Sequence, residues 1–392
     1  MGEWKKLKLK DVLIEGSKER VDDTSKYQKL TIKLNFKGIE KSKVREKMAD
    51  RRPFYIRKKG EIVIGKQNYF NGSIAILPDE LDGGICSNAI MSFNTKKGYS
   101  NKFIYYMLSN PSFINKRSYL ANGTGQKELS EKDFLNFDII IPEILEQEKI
   151  VSILEKNDKI IENLDFEISE NEKLVRCLLN NVLKKYKTQK IKLKNIIAYR
   201  KGFAFKSKDY TEKGCRIIRV SDLDEKEIKD DCEKIFIDES KKKLYANYIL
   251  KEDDLIVTTV GSKPPIYSSV AGRVIKVSKK YEGCLLNQNT IRLRVNKRVR
   301  PLFLFSQLNT RRYYNYLNII MRGNANQGNI TVEELLNYEI EILDENIQNK
   351  IEKILRLCIE KNKYLGEKKD NYIKLRRKLM DELLTGKIKV KL

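Results

Sequence analysis

Several loops of this sequence collect amide, hydroxyl and basic side chains immediately after short strand-like runs. Asn, Gln, Arg and Lys side chains can hydrogen bond to base edges in the major groove of DNA, whereas hydroxyls and the backbone amides of glycine-flanked loops hold phosphates. The candidate DNA-binding residues in the first half of the chain are Lys66, Gln67, Asn68, Tyr69, Ser87, Asn88, Asn122, Thr124, Gln126 and Lys127. Those in the second half are Arg219, Ser221, Thr258, Thr259, Ser262, Lys263, Asn287, Gln288, Asn289, Arg322, Asn324, Asn326 and Gln327.

These loops recur at matching points of an internal duplication. The segment Leu7–Leu13 resembles Ile191–Ile197, and from Gln126 onward the matching positions stay 201 residues apart, as Gln126 and Gln327 do. The order of the matches is kept and their spacing only grows, as loop insertions would cause. One amide-rich loop by itself would indicate only a turn. Its recurrence in both copies favours a binding role.

The charge of the chain indicates a polyanionic partner. The 392 residues include 79 Lys and Arg against 54 Asp and Glu, which gives a net charge of +25. A surface this basic is typical of proteins that bind nucleic acid. The length is enough for two or three domains, and 41% of the residues are hydrophobic, so sizeable cores can form.

The chain contains no histidine, which excludes histidine general bases, Ser-His-Asp and Cys-His nucleophile systems and histidine metal ligands. Its six cysteines are scattered without a C-x-x-C pair, so we expect no zinc site and no bound metal. Neither a signal peptide nor a run of 18 apolar residues is present, and the sequence therefore predicts a reduced, cytoplasmic protein.

Motifs for enzyme chemistry are missing from the sequence. It contains no phosphate-binding G-x-x-x-x-G-K-[ST] loop, no dinucleotide-binding glycine pattern and none of the motifs that adenine methyltransferases need. We therefore expect no catalytic residues and no cofactor on this chain. The sequence favours a binding protein.

Each copy of the duplication combines a globular part with a long helix. The globular parts mix strand-like runs, such as Glu61–Gly65 and Thr290–Val295, with helical stretches, such as Asn101–Leu108. The predicted domains are residues 1–145 and 187–344. The predicted central helix is 146–186, and residues 345–392 are predicted to form a second long helix followed by a basic, strand-like tail.

The long helices carry a heptad seam that is sustained over more than four repeats in the first copy. At 1.5 Å per residue, about 40 residues would form a rod of roughly 60 Å. The two helices most simply pack against each other, and the alternative is that each lies on its own globular domain. If the helices pack against each other, Asn157 and Asn171 would select the register of the pair. The seam residues are Ile150, Leu154, Asn157, Ile161, Leu164, Ile168, Asn171, Leu355, Leu365 and Leu379.

The last five residues, 388–392, resemble the start of each copy. Such a tail could form a strand beside the N-terminal domain and close the two halves into a pseudo-symmetric ring. A frayed basic tail is an equal alternative.

Duplicated α/β domains alternating with long helices resemble the specificity subunit of Type I restriction–modification systems. Ile139–Pro142 followed by Glu146–Ile150 resembles the motif that precedes the central helix in this family, although Ile144 replaces a proline. Phe205–Tyr210 with Ile217–Leu223 resembles the start of a target-recognition domain, and Leu379–Gly386 resembles the end of the C-terminal helix. The likeness covers nearly the whole chain.

The resemblance implies a mixed α/β (α+β) fold with two tandem-repeat DNA-recognition domains, separated by two long helices packed as a pseudo-two-fold antiparallel coiled coil. Each domain would read one half of a split double-stranded DNA target, and the helices would set the gap and dock two methyltransferase subunits. A restriction and translocase subunit could join, and S-adenosylmethionine would belong to the methyltransferase. The alternatives are a DNA methyltransferase or nuclease that acts by itself and a coiled-coil scaffold without a DNA role.

Overall fold

The computed structural model describes residues 4–42, 52–121, 128–224, 227–263, 269–323 and 328–390. The chain divides into two compact units. The first unit comprises Met1–Phe166 together with Gly366–Leu392, and the second unit comprises Glu167–Leu365. Each unit therefore contains one globular part and portions of both long helices.

In the first unit the globular part is a mixed α/β domain. Its strands are β1 (Lys5–Lys8), β2 (Leu13–Glu15), β3 (Arg20–Val21), β4 (Leu30–Ile32), β5 (Ile39–Lys41), β6 (Phe54–Ile56), β7 (Ile62–Gly65), β8 (Ile74–Ile76), β9 (Ile85–Ser87), β10 (Ile90–Thr95) and β11 (Asp138–Ile141). Its short helices are α1 (Leu9–Val12), α2 (Asn101–Leu108), α3 (Pro111–Asn115) and α4 (Glu131–Leu135). The central sheet has the order β2-β10-β7-β8, and β1 pairs with β11 in an antiparallel ribbon.

The first long helix is α5 (Ile144–Lys185). No glycine or proline occurs within it, so its backbone hydrogen bonds continue without a break. Its predicted existence is confirmed, and its first turn begins two residues earlier than predicted.

The globular part of the second unit repeats the plan of the first. Its strands are β12 (Gln189–Lys192), β13 (Ile197–Lys201), β14 (Tyr210–Thr211), β15 (Cys215–Ile218), β16 (Ile235–Ile237), β17 (Leu255–Thr258), β18 (Val260–Gly261), β19 (Val274–Lys276), β20 (Leu285–Leu286), β21 (Thr290–Val295), β22 (Arg322–Gly323), β23 (Gly328–Asn329) and β24 (Glu339–Ile342). Its helices are α6 (Pro301–Gln307), α7 (Arg311–Ile320) and α8 (Val332–Leu336). The central sheet β13-β21-β17-β19 has the same order as in the first unit, and the ribbon β12-β24 matches β1-β11.

The second long helix is α9 (Glu345–Leu383). In the first unit, Asp158 of α5 forms an ion pair with Arg376 of α9, and Asp165 pairs with Lys369. Residue numbers rise along one helix as they fall along the other, so the helices are antiparallel there, as predicted. In the second unit, Asn171 of α5 donates to the carbonyl oxygen of Cys358 on α9 at 2.8 Å.

Both packing arrangements considered from the sequence occur. Ile150 and Leu154 lie in the core of the first unit with Met380 and Leu383, and Leu355 lies in the core of the second unit. The ends of the helices therefore pack into the globular cores, and the two helices also contact each other. The remaining seam residues are buried (Asn157, Leu164, Asn171 and Leu365) or half-buried (Ile161, Ile168 and Leu379).

The tail forms no strand up to Val390, the last described residue. It is not frayed either, because Val390 is buried in the core of the first unit and Gly386 lies against the Trp4 ring. The strand that pairs with β11 is β1, at the start of the chain.

Candidate nucleic-acid interface

In the first unit, the candidate loops meet at the carboxyl end of β7. The backbone N–H of Lys66 donates to the carbonyl oxygen of Ala89 at 3.0 Å, and the backbone N–H of Leu129 donates to the carbonyl oxygen of Lys66 at 3.0 Å. Ala89 directly follows Asn88, and Leu129 follows the predicted loop 122–127, which lies outside the described residues. Lys66 thus joins the loops 66–69 and 87–89 and the segment 128–129 into one surface, which we call the first loop edge.

The second unit repeats this junction at the carboxyl end of β17. The backbone N–H of Thr259 donates to the carbonyl oxygen of Asn289 at 2.9 Å, and that of Ile330 donates to the carbonyl oxygen of Thr259 at 3.0 Å. The loops 258–263 and 287–289, together with residues 322–323 and 328–330, therefore form a second loop edge. Backbone groups at a strand end need hydrogen-bond partners, and in both units the neighbouring loops supply them.

Side chains on the first loop edge divide into exposed and buried groups. Gln67, Asn68 and Asn88 are exposed, and the Asn71 amide donates to Asn68 Oδ1 at 3.2 Å. Lys66 is half-buried, with its Nζ 3.8 Å from a carboxylate oxygen of Glu128. The exposed amides are the groups that can reach a ligand.

Two predicted residues of the first loop edge are placed differently. Tyr69 is fully buried in the core, its hydroxyl donates to the carbonyl oxygen of Leu108 at 2.9 Å, and burial raises the pKa of this hydroxyl well above its ordinary value. Ser87 is buried within β9. The prediction that these side chains contact DNA is corrected, because both are enclosed by the fold.

On the second loop edge, Gln288 and Asn289 are exposed, whereas Thr259, Lys263 and Asn287 are half-buried. Asn289 has a φ of 63°, in the left-handed region that asparagine tolerates better than most residues. Gln288 and Asn289 are the second-unit residues best placed to meet a ligand.

Thr258 and Ser262 are buried on this edge. The hydroxyl of Thr258 donates to the carbonyl oxygen of Val270 at 3.1 Å, and the hydroxyl oxygen of Ser262 lies 2.9 Å from that of Ser269. The prediction that these hydroxyls hold phosphates is corrected, since protein groups already engage them.

Arg219 and Ser221 adjoin the second loop edge through the backbone. The N–H of Asn287 donates to the carbonyl oxygen of Ile218 at 3.1 Å. The guanidinium of Arg219 bonds the fully buried carboxylate of Asp222 at 2.9 Å, and this hydrogen bond raises the pKa of Arg219. Arg219 is thereby fixed by an internal partner, whereas Ser221 is exposed.

Arg322 is exposed and also has an internal partner. Its Nη2 lies 2.8 Å from a carboxylate oxygen of Glu334, at the start of α8. The hydrogen bond from the Thr331 hydroxyl, with a smaller contribution from Arg322, holds the pKa of Glu334 below its ordinary value. A phosphate that approached Arg322 would compete with this carboxylate.

Seven predicted residues lie outside the described residues, and their roles stay predictions. Their flanking residues nevertheless fix where the loops leave and rejoin the fold. In the second unit, β22 and β23 flank residues 324–327 and pair with each other, and β23 also pairs with β18. The seven residues are Asn122, Thr124, Gln126, Lys127, Asn324, Asn326 and Gln327.

The structure adds a hairpin to the first loop edge that the sequence analysis missed. The turn between β4 and β5 bonds to the segment after Asn68: the N–H of Asn35 donates to the carbonyl oxygen of Asn71 at 2.8 Å, and that of Phe36 donates to Gly72 at 2.9 Å. Asn35 and Phe36 have φ values of 58° and 59°. Asparagine in a turn that ends at a glycine was the available signal.

In the second unit, a different segment supports the loop edge. The N–H of Gln288 donates to the carbonyl oxygen of Phe203 at 2.9 Å. A Cβ atom at Gly202 would lie 1.7 Å from the carbonyl oxygen of Asn287, so only glycine fits this close approach. The predicted motif that starts near Phe205 thus lies beside the exposed amides.

Among the described residues, no group of three or more Cys, Asp and Glu side chains could hold a metal ion. Within the same ranges, no helix is long and apolar enough to cross a membrane. The described surface instead offers two equivalent loop edges that carry exposed amides on a strongly basic chain. Such a molecule is a duplicated DNA-recognition protein.

Comparison with known proteins agrees with this class. The family model of the Type I restriction modification DNA specificity domain matches twice, at residues 1–170 and 186–374. The chain belongs to this family of Type I DNA specificity subunits. As such, it is the non-catalytic DNA-recognition component of a restriction–modification complex, and DNA and other subunits of such a complex are its partners.

A curated relative is the Type I restriction enzyme MjaVIII specificity subunit of Methanocaldococcus jannaschii, which is 23% identical over 85% of this chain and 77% of its own length. The fold is similar to that of the Type I restriction–modification S subunit from M. genitalium, with a TM-score of 0.56 and 16% identity over 97% and 96% of the two chains. It is also similar to a chain from a study of complex assembly and conformational transition of the type I R-M system, with a TM-score of 0.55 and 16% identity over 98% of each chain.

Proposed function

We propose that each unit reads one half of a bipartite double-stranded DNA target through its loop edge, and that the two long helices set the gap between the halves. The same helices dock two methyltransferase subunits, which bind S-adenosylmethionine, and a restriction subunit joins them for cleavage. This chain contributes recognition and geometry, and its partners contribute the chemistry.

The observation that supports this proposal is the repeated junction of the loops. Lys66 and Thr259 make the same pair of backbone hydrogen bonds at the same strand end. Backbone bonds are indifferent to side-chain identity, so the exposed side chains can differ between the units without disturbing the support beneath them. Gln67 and Asn68 stand on one edge, and Gln288 and Asn289 stand on the other.

The test uses the chain assembled with its methyltransferase partner. The variant Gln67→Ala/Asn68→Ala should relax recognition of bases in one half-site only, because a lost bidentate amide contact removes about 1–3 kcal/mol of discrimination. Gln288→Ala/Asn289→Ala should relax the other half-site. The readout is the methylated motif, determined by sequencing modified DNA.

Exposed residues outside both loop edges supply a matched control. Asn115→Ala/Asn296→Ala removes two exposed amides and should leave the motif unchanged. If either loop variant relaxed both half-sites, or neither, the assignment of one half-site to each loop edge would fail.

A further inference from the structure

The two units differ at one matched position of their β-ribbons. In the second unit, Lys190 of β12 lies opposite Glu341 of β24, whereas in the first unit Lys6 of β1 lies opposite Ile140 of β11. Glu341 forms an ion pair with Arg312 at 2.6 Å and accepts a hydrogen bond from the hydroxyl of Thr188. The second unit thus neutralises its ribbon internally. At the same position the first unit has an isoleucine that is 45% exposed.

Ile140 lines a basic cavity of about 770 Å³ in the first unit. Among the described residues, Lys6, Lys10 and Lys116 of its lining form no ion pair. The two carboxylates of the lining are already engaged, because Asp11 accepts the backbone N–H of Lys8 and Asp138 lies 3.8 Å from the Nζ of Lys8. The cavity therefore carries unbalanced positive charge.

The rest of the lining combines the polar or charged residues Asn110, Ser112, Arg117 and Thr385 with a set of apolar side chains. Phosphate groups would satisfy the lysines and leave these side chains in contact with water, whereas a peptide can bury an apolar side chain and present carboxylates at the same time. The combination of apolar side chains with lysines that form no ion pair favours a protein ligand over DNA. The apolar lining residues are Leu7, Met107, Phe113, Ile139, Ile140 and Leu384.

We propose that this cavity docks an acidic segment of a partner protein. An apolar side chain of that segment enters beside Ile140, and its flanking carboxylates pair with Lys6, Lys10 and Lys116. The partner's carboxylate takes the place that Glu341 has in the second unit. This interaction is separate from the loop edges and does not depend on which DNA the chain recognises.

The test supplies the missing carboxylate from within the chain. Ile140→Glu imitates the second unit and should occupy the lysines. Binding of a fluorescein-labelled peptide, Glu-Asp-Leu-Phe-Asp-Glu, to the full-length chain is measured by fluorescence anisotropy. We expect saturable binding that Ile140→Glu weakens at least about tenfold, since charge-assisted hydrogen bonds are among the stronger contacts.

Two further variants keep the result interpretable. Ile14→Glu introduces the same charge at an isoleucine of β2 that is 48% exposed and outside the cavity, and it should change the affinity less than about twofold. Lys6→Gln/Lys116→Gln removes the cations without adding a carboxylate to the strand. It should weaken the peptide as Ile140→Glu does, and it provides the test if Ile140→Glu fails to fold.

Several outcomes would overturn the proposal. They are the absence of saturable peptide binding, an equal loss in Ile14→Glu, and equally tight binding of the peptide Glu-Asp-Ser-Ser-Asp-Glu, which lacks the apolar anchor. A DNA duplex of random sequence that lost affinity with Ile140→Glu while the peptide did not would assign the cavity to nucleic acid instead.

Discussion

The two units bury a carboxylate at the same place and satisfy it differently. Glu61 precedes β7, and Asp254 precedes β17, and each is only 1% exposed. Glu61 accepts from the backbone N–H of Ser17 at 2.7 Å and from the hydroxyl of Ser92 at 2.6 Å. Asp254 accepts two hydrogen bonds of 2.7 Å from Arg294 and one from the backbone N–H of Lys251. Both copies therefore contain a buried carboxylate that needs hydrogen bonds, whereas the groups that donate those bonds differ between the copies.

The buried asparagines of the helix seam show the same contrast more sharply. In the second unit, the Asn171 amide donates to the carbonyl oxygen of Cys358 and to Asn362 Oδ1 at 2.7 Å. In the first unit, Asn157 is equally buried, but its Oδ1 has no hydrogen-bond partner among the described residues. Of these two asparagines, Asn171 is the one whose described hydrogen bonds link α5 to α9 and can fix their register.

The largest expected effect concerns a feature that both units share. If both basic loop edges contact phosphates, the assembled complex should make about 6–10 phosphate contacts and lose roughly 10³–10⁵-fold in affinity between 50 and 200 mM salt. A salt titration of DNA binding by the complex measures this slope. A nearly flat response would show that the net charge of +25 does not act on the DNA.

Removing a charged partner from a buried carboxylate should lower the free energy of unfolding more than removing a neutral partner. Arg294→Ala leaves Asp254 without its cation and should lower the free energy of unfolding by about 3 kcal/mol. Ser92→Ala removes one neutral donor from Glu61 and should cost about 2 kcal/mol or less. Chemical denaturation of the full chain compares them. A larger loss for Ser92→Ala would contradict the view that the two arrangements differ in strength.

Substitution of the two seam asparagines should produce a smaller difference in stability. Asn171→Leu leaves the groups on α9 without their donor and should cost about 1 kcal/mol. Asn157→Leu replaces a poorly satisfied polar group and should leave the stability unchanged or raise it. Thermal unfolding of the two variants decides the matter. Equal losses of stability would contradict the difference in hydrogen bonding between Asn157 and Asn171.

The smallest expected change concerns geometry alone. Four residues inserted near Leu164 lengthen α5 by about 6 Å, which corresponds to at most about two base pairs at 3.4 Å each. A four-residue insertion locally unwinds the seam without turning its apolar face to water. The methylated motif should therefore keep both half-sites and gain about one base pair of gap. An unchanged gap between the half-sites, with full activity, would show that the helices do not set this gap.

The sequence predicted the parts of this molecule that repeat. The strands β7 and β21, the helix α2 and both long helices follow from local sequence patterns. The candidate loops were also found, because exposed amides cluster after strands.

Burial within the loops could not be predicted in the same way. Tyr69 and Thr258 have the polar groups of contact residues, and only the three-dimensional neighbours, the carbonyl groups of Leu108 and Val270, make them part of the core. The hairpin turn at Asn35 was missed because its contact with Asn71 depends on tertiary structure. The cavity beside Ile140 likewise depends on side chains that lie more than 240 residues apart in the sequence.

The central claim is that each unit reads its own half of the target. The most direct measurement replaces residues 187–344 with the matching domain of a related specificity subunit and determines the methylated motif of the assembled complex. The account predicts that one half-site changes to that of the donor, while the other half-site and the gap stay the same. A change in both half-sites, in a protein whose circular dichroism shows an intact fold, would contradict the claim.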